Sequence, residues 1–407
     1  MSRILALTAA LTLASPAVPA LAQDARGGGV EVAQLAAPDA FSTPGRDTGL
    51  PPDLWRGASP DVLAAVLPRL AQKTLSGAAA ALARRVLATG ATGPQGLGAD
   101  PSALANRAAA LNALGDPRAA AAVLNRAPGL DRSSELSRAA AESALLAGDD
   151  ARACAVAETL TVGREEIYWL RLRAYCQAVA GKTSQAQLTY QLAQTQALDP
   201  VFGRLMGAKL AGGGGDIGSA SLRNGLDYAL SRSLGLDLGT AKPSPQVAAA
   251  LAGAEPTEPS WTVPDGDSDR LAAARALASG QDVPGDLVAR LLDAAVMADV
   301  VGRASTQAAA LIVVGWTGAP GPDLSGRLAA LSVAEGKAPA GRNFVLSGAA
   351  REKQMGQVAM LSLWTCLDVG DAGLAPADRA RITQALRQVG LERDARNFAV
   401  EGLLAAP

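Results

Sequence analysis

Histidine is absent from all 407 residues. That removes histidine-based catalytic triads, histidine metal ligands and histidine pH switches. Aromatic residues make up only 3% of the chain. The core must therefore be built mainly from Ala, Leu and Val, with little bulk per position. An excess charge of either sign is missing too, since the net charge is −1. Nothing advertises nucleic acid or an anionic membrane surface as a partner. Runs of alternating Val, Ile, Thr and Tyr that would signal strands are nearly absent. The most apolar later stretch, Ala308 to Trp316, is too short to span a bilayer. No phosphate loop ends in Gly-Lys-Ser/Thr, and no Gly-x-Ser-x-Gly elbow occurs. The acidic run Asp265 to Asp269 lacks the glycine and glutamate that a calcium loop needs. It reads as a helix start with a solvated acidic turn, so neither metal nor cofactor is expected.

What is present is apolar and helical. Hydrophobic residues are 49% and charged residues 18%, which excludes a disordered composition. Residues 1–22 carry Arg3, an apolar run from Ile4 to Ala14, and Ala20-Leu21-Ala22. This is the pattern of a secretory signal cleaved after Ala22. The mature chain is expected in the periplasm, with no transmembrane segment. Residues 23–52, rich in Gly and Pro, read as a flexible leader. Ser59-Pro60-Asp61 looks like a helix N-cap followed by proline at the first helical position. A helical domain is expected over 53–236, a proline-rich linker over 237–267 with a short helix near 246–252, and a second helical domain over 268–407. Helices in that last part are expected to start near Asp269, Pro284, Thr306, Leu324, Arg342, Met355, Pro376 and Leu391.

A repeat runs through the first helical region. Turn glycines stand at 115, 148 and 181, each 33 residues after the last. Ala108, Ala141 and Ala174 lie seven residues before them, and Ala120, Ala153 and Ala186 five residues after. The period describes a helix, a tight glycine turn and a second helix, with small residues where the two helices approach. A fainter fourth glycine is Gly214. These residues resemble the tetratricopeptide repeat, most clearly over 100–215. The bulky aromatics of that family are mostly Leu, Ala or Gln in this chain. The resemblance implies an all-α helical-hairpin array, an α-solenoid whose first helices line a concave face. It places Tyr168, Arg171 and Tyr175 of one unit, and Glu135, Arg138 and Glu142 of the preceding unit, on that face. Each set is spaced three and four apart, so each forms one helical stripe. Tyrosine and arginine give a groove large contact area and directional hydrogen bonds. The plainer alternative is that the tyrosines pack between helices and the charges face solvent. Trp169 and Leu170 should face the core, and Trp55, Trp261, Trp316 and Trp364 should anchor packing.

Cys154 lies in the second helix of one unit and Cys176 in the first helix of the next. Both sit toward the same end of the array, so a disulfide is feasible in an oxidising compartment. The alternative is a pair of buried thiols. Cys366 should be a buried free thiol. Together these features point to a non-enzymatic exported scaffold or assembly factor that binds an envelope protein or peptide through a helical-repeat groove. The competing reading is an exported enzyme acting on cell-wall glycan with paired carboxylates. Two carboxylates facing a deep cleft, at least one of them buried, would favour that reading.

Overall fold

A computed structural model describes residues 39–405, apart from 99, 126, 214–216, 253–257 and 319–320. The signal-like residues 1–22, the leader up to residue 38 and Gly214 lie outside the described residues. Among the described residues there is no strand, and nineteen α-helices follow one another. The first eleven are α1 (Pro60–Leu70), α2 (Gly77–Ala88), α3 (Pro101–Ala113), α4 (Pro117–Leu124), α5 (Ser134–Ala147), α6 (Asp150–Thr159), α7 (Ile167–Val179), α8 (Thr183–Gln196), α9 (Pro200–Leu210), α10 (Gly225–Ser233) and α11 (Pro245–Ala252). The remaining eight are α12 (Asp269–Ala278), α13 (Gly285–Met297), α14 (Arg303–Thr317), α15 (Pro322–Ala329), α16 (Ala340–Arg351), α17 (Met355–Val369), α18 (Pro376–Gln388) and α19 (Glu392–Ala405). The expected starts after residue 267 fall within three residues of these, the largest departure being Thr306 against Arg303. None of the helices is long and apolar enough to cross a membrane.

The hairpins follow from local chemistry. Gly115, Gly148 and Gly181 have φ of +85°, +82° and +73°, a region open to glycine at little cost. Each ends its helix in the same way. The amide after the glycine reaches back to Leu111, Ala144 or Gln177, and the glycine amide bonds Asn112, Leu145 or Ala178. That is the Schellman pattern. In the first two turns an aspartate follows and caps the next helix. Asp116 accepts from the Ala119 amide at 3.1 Å and Asp149 from the Arg152 amide at 3.0 Å. Gly-Asp thus stops one helix and starts another. The six matched alanines are all fully buried, where a larger side chain would push the paired helices apart.

Helix α3 packs on α4 and α5, and α5 on α6. Helix α7 packs on α8 and on α6, where Cys154 and Cys176 are joined with Cα atoms 5.5 Å apart. Helix α10 folds back onto α5 and α9. Docked on α6, α7 leaves room between itself and α5, and α10 closes the end of that space.

The described parts of the segments read as leader and linker, 39–52 and 237–267 apart from 253–257, are packed. Phe41 is fully buried against Trp55, with ring centroids 4.8 Å apart. Arg107, itself fully buried, holds this stretch. Its guanidinium donates to the carbonyls of Leu87 (2.7 Å), Ala40 (3.0 Å), Thr43 (3.0 Å) and Thr89 (2.9 Å). Prolines and glycines over 39–52 therefore serve a tight path across the end of α2. Within 237–267, α11 packs on α3 and α5, and Trp261 Nε1 donates to Asn397 at 3.0 Å. The helices on either side of this stretch share one core, because α1 packs on α17 and α2 on α17 and α19. The described residues, from 39 to 405, all fall in one compact unit. Trp55, Trp169 and Trp316 are buried anchors. Cys366 is a buried free thiol, and burial pushes it up to about 12.

Candidate functional site

The space between α5 and α7 is a cavity of about 390 Å³, within the range of small-ligand sites. Glu135, Arg138 and Glu142 of α5 and Tyr168 and Arg171 of α7 line it. Both sequence stripes thus meet at one place. Tyr175 does not. It is fully buried elsewhere, its hydroxyl donating to Asp150 at 2.9 Å, and Asp150 also pairs with Arg232 at 2.6 Å. Docking of α7 on α6 turns its last-turn stripe position toward α10 and away from the cavity.

Other elements complete the wall. Asn106 and Asn112 come from α3, Asp199 and Phe202 from the start of α9, and Asn224 and Asp227 from the start of α10. Sequence reasoning missed these. Asp199-Pro200 is a visible cap signal, but nothing local says that the cap faces a groove. Asp199 accepts from the amides of Val201 (3.0 Å) and Phe202 (3.1 Å). It also pairs with Arg171 at 3.3 Å and Arg223 at 3.0 Å. Burial alone would raise its carboxyl, but these hydrogen bonds and charges outweigh it, and Asp199 is held below the usual aspartate range. Asp227 is occupied as well, by Arg223 Nε at 2.5 Å and the Ser221 hydroxyl at 2.8 Å.

Glu142 is placed differently. Its Oε2 accepts the Gly225 amide at 2.9 Å. A Cβ on Gly225 would stand 2.6 Å from that oxygen, so glycine permits the approach. No cation among the described residues pairs with the Glu142 carboxylate. Burial raises it above the ordinary 4.5, against the opposing pull of the Gly225 amide, the Tyr168 hydroxyl and Arg138. Tyr168 carries Arg138 over its ring at 4.7 Å, a cation–π contact. Burial and the neighbouring Glu142 push the Tyr168 hydroxyl well above its ordinary range.

Eleven buried side-chain polar atoms among the described residues have no hydrogen-bond partner, and three of them belong to residues lining this cavity. They are Asn112 Oδ1, the Tyr168 hydroxyl and Arg171 Nε. The Asn112 orientation follows from its neighbours. The Ser143 hydroxyl donates its one hydrogen to the Ala139 carbonyl at 2.7 Å, so it can only accept from Asn112 Nδ2 at 2.9 Å. The amide oxygen is left over. Unpaired buried polar atoms each cost about 1–3 kcal/mol, and a site built to receive a ligand is one place where such a cost is maintained.

No group of three or more Cys, Asp and Glu among the described residues is arranged to hold a metal ion. Compared with protein-family models, curated proteins and solved structures, the chain matches none.

Proposed function

We propose that this chain is an exported, non-enzymatic scaffold or assembly factor. Its tetratricopeptide-like hairpins form a solenoid segment that binds an envelope protein or peptide in the groove between α5 and α7. The observation that carries the reading is the convergence of five stripe residues on one cavity that holds three unpartnered buried polar atoms. Export rests on the signal pattern of residues 1–22. The test places a photo-crosslinking residue at Arg138, on the cavity, and at Leu188, which is 70% exposed on α8. Adducts with envelope proteins are expected from position 138 and not from 188. Equal adducts at both positions, or adducts with cytoplasmic proteins, would overturn the reading.

One observation favours the glycan-acting alternative. Glu142 lies in the cavity with a raised pKa, and the buried Asp227 lines the same wall and contributes to that rise. Two carboxyl groups in one cleft, one of them with a raised pKa, are the pairing that glycoside hydrolysis uses. Against it, Asp227 is tied to Arg223 and Ser221. Release of soluble fragments from purified cell wall by the wild type, lost in both Glu142→Gln and Asp227→Asn, would establish the enzyme. No release would remove it.

A further inference from the structure

Six charged side chains line the cavity, four acidic (Glu135, Glu142, Asp199, Asp227) and two basic (Arg138, Arg171). The ion pairs already made account for Arg171, Asp199 and Asp227. Glu142 is left recessed with no ion pair; Arg138 and the Tyr168 hydroxyl stand near enough to favour its carboxylate, but neither closes a full bond to its second oxygen. Beside it are the Tyr168 hydroxyl, which faces Glu142 without closing a full hydrogen bond, and the unpartnered Asn112 amide oxygen. All three can accept hydrogen bonds. The N-termini of α9 and α10, which would otherwise draw an anion, are already filled by Asp199 and by Asn224 and Glu142. The recess therefore asks for a compact group with several N–H donors and a positive charge.

Resting on the groove reading, we infer that the cavity takes a primary ammonium group presented on a peptide, seated against Glu142, Tyr168 and Asn112. Arg171 Nε, an unpartnered donor on the same wall, meets a backbone carbonyl of the same peptide. An ammonium carries three donors on a point charge, which fits three acceptors better than the flat guanidinium does. Neutralising Glu142 also offsets the cost of its burial. A lysine side chain and a free N-terminus present the same group.

The test is fluorescence anisotropy of the full chain with short Ala/Ser peptides labelled at the C-terminus. The peptides carry one central Lys, Nε-acetyl-lysine or Glu, each with a free or acetylated N-terminus. Binding is expected for peptides that keep an ammonium. Acetylation of the group that binds, or Glu142→Gln, should weaken it by about tenfold or more. Which acetylation abolishes binding names the source of the ammonium. Glutamine still accepts the Gly225 amide, so Glu142→Gln should fold, and circular dichroism checks this. Tyr168→Phe removes a hydroxyl that faces Glu142 but makes no full hydrogen bond in the free protein. It should leave the melting temperature close to that of the wild type while weakening binding severalfold. A Tyr168→Phe variant that melts lower and binds as before would show the hydroxyl to be structural and count against the assignment. Glu peptides binding as tightly as Lys peptides, unaffected by Glu142→Gln, would overturn the ammonium while leaving the groove. Binding of no peptide at all would overturn the groove and the ammonium with it.

Discussion

Two arginines in neighbouring parts of the same helical fold, Arg107 fully buried and Arg171 partly so, are treated in opposite ways. Arg107, in the layer joining residues 39–43 to α2 and α3, gives hydrogen bonds to four carbonyls and stacks on Phe41 at 5.2 Å. Arg171, on the cavity wall, donates to the Ala197 carbonyl at 3.0 Å, pairs with Asp199 and leaves Nε without a partner. Burial lowers Arg107 to about 9, with Asp39 opposing, so it remains cationic at neutral pH although no carboxylate among the described residues forms an ion pair with it. A satisfied network holds a structure together, whereas an incomplete one costs stability and is retained where something else completes it. The difference sets a satisfied structural clamp apart from a cavity wall whose hydrogen bonding is incomplete.

Arg107→Met breaks the comparison most severely. It leaves four carbonyls at a buried junction without their donor, and the expected loss is about 3–5 kcal/mol in urea unfolding. Arg171→Met should cost about 1 kcal/mol, because its bonds are fewer and its charge is shared with a partly exposed pair. Equal losses for the two variants would show that the cavity arginine is as structural as the clamp.

The disulfide comes next in size. Cys154 and Cys176 are 22 residues apart, and closing a loop of that length is worth about 3 kcal/mol in the chain-entropy account. Alkylation of the unfolded, unreduced protein should modify one thiol, Cys366, as measured by intact mass. Three modified thiols would remove the bridge. Since the bridge fixes α7 to α6, reduction should also loosen Tyr168 and Arg171, and ammonium-peptide binding should fall along with stability.

Much of the helical framework was legible because its signals are local. Ser59-Pro60, Gly115-Asp116 and Gly148-Asp149 start or stop helices through bonds to residues a few positions away. The stripes on α5 and α7 were legible because helical spacing puts residues three and four apart on one face. What was not legible is long-range. Gly225 reaches Glu142 across 83 positions, and no pattern in either segment announces the meeting. The same holds for the return of α17 and α19 onto α1 and α2, where Glu401 accepts from Ser76 and the Ala78 amide. Tyr175 was placed on the groove by register alone. Register does not encode the roll that α7 takes when it docks on α6.

Glu142 and Asp199 sharpen the comparison inside the cavity itself, through pH. Burial raises the Glu142 carboxyl in the folded chain, so the folded state holds that proton more tightly than the unfolded state does. Its contribution is fully present below the ordinary 4.5 and is lost as pH rises through the raised value. Asp199 runs the other way. Its hydrogen bonds and ion pairs hold it below the ordinary 3.8, so its contribution is present above that value and is lost as pH falls through the lowered one. Glu142→Gln should therefore melt higher than the wild type at neutral pH, with the gap closing below about 4.5. Asp199→Asn should melt lower at neutral pH, with its gap closing only at more acid pH, below about 3.9. Melting temperatures of the three proteins across this range decide the matter. If Glu142→Gln melts lower than the wild type at neutral pH, Glu142 is already neutralised within the fold, and the cavity does not await a cation.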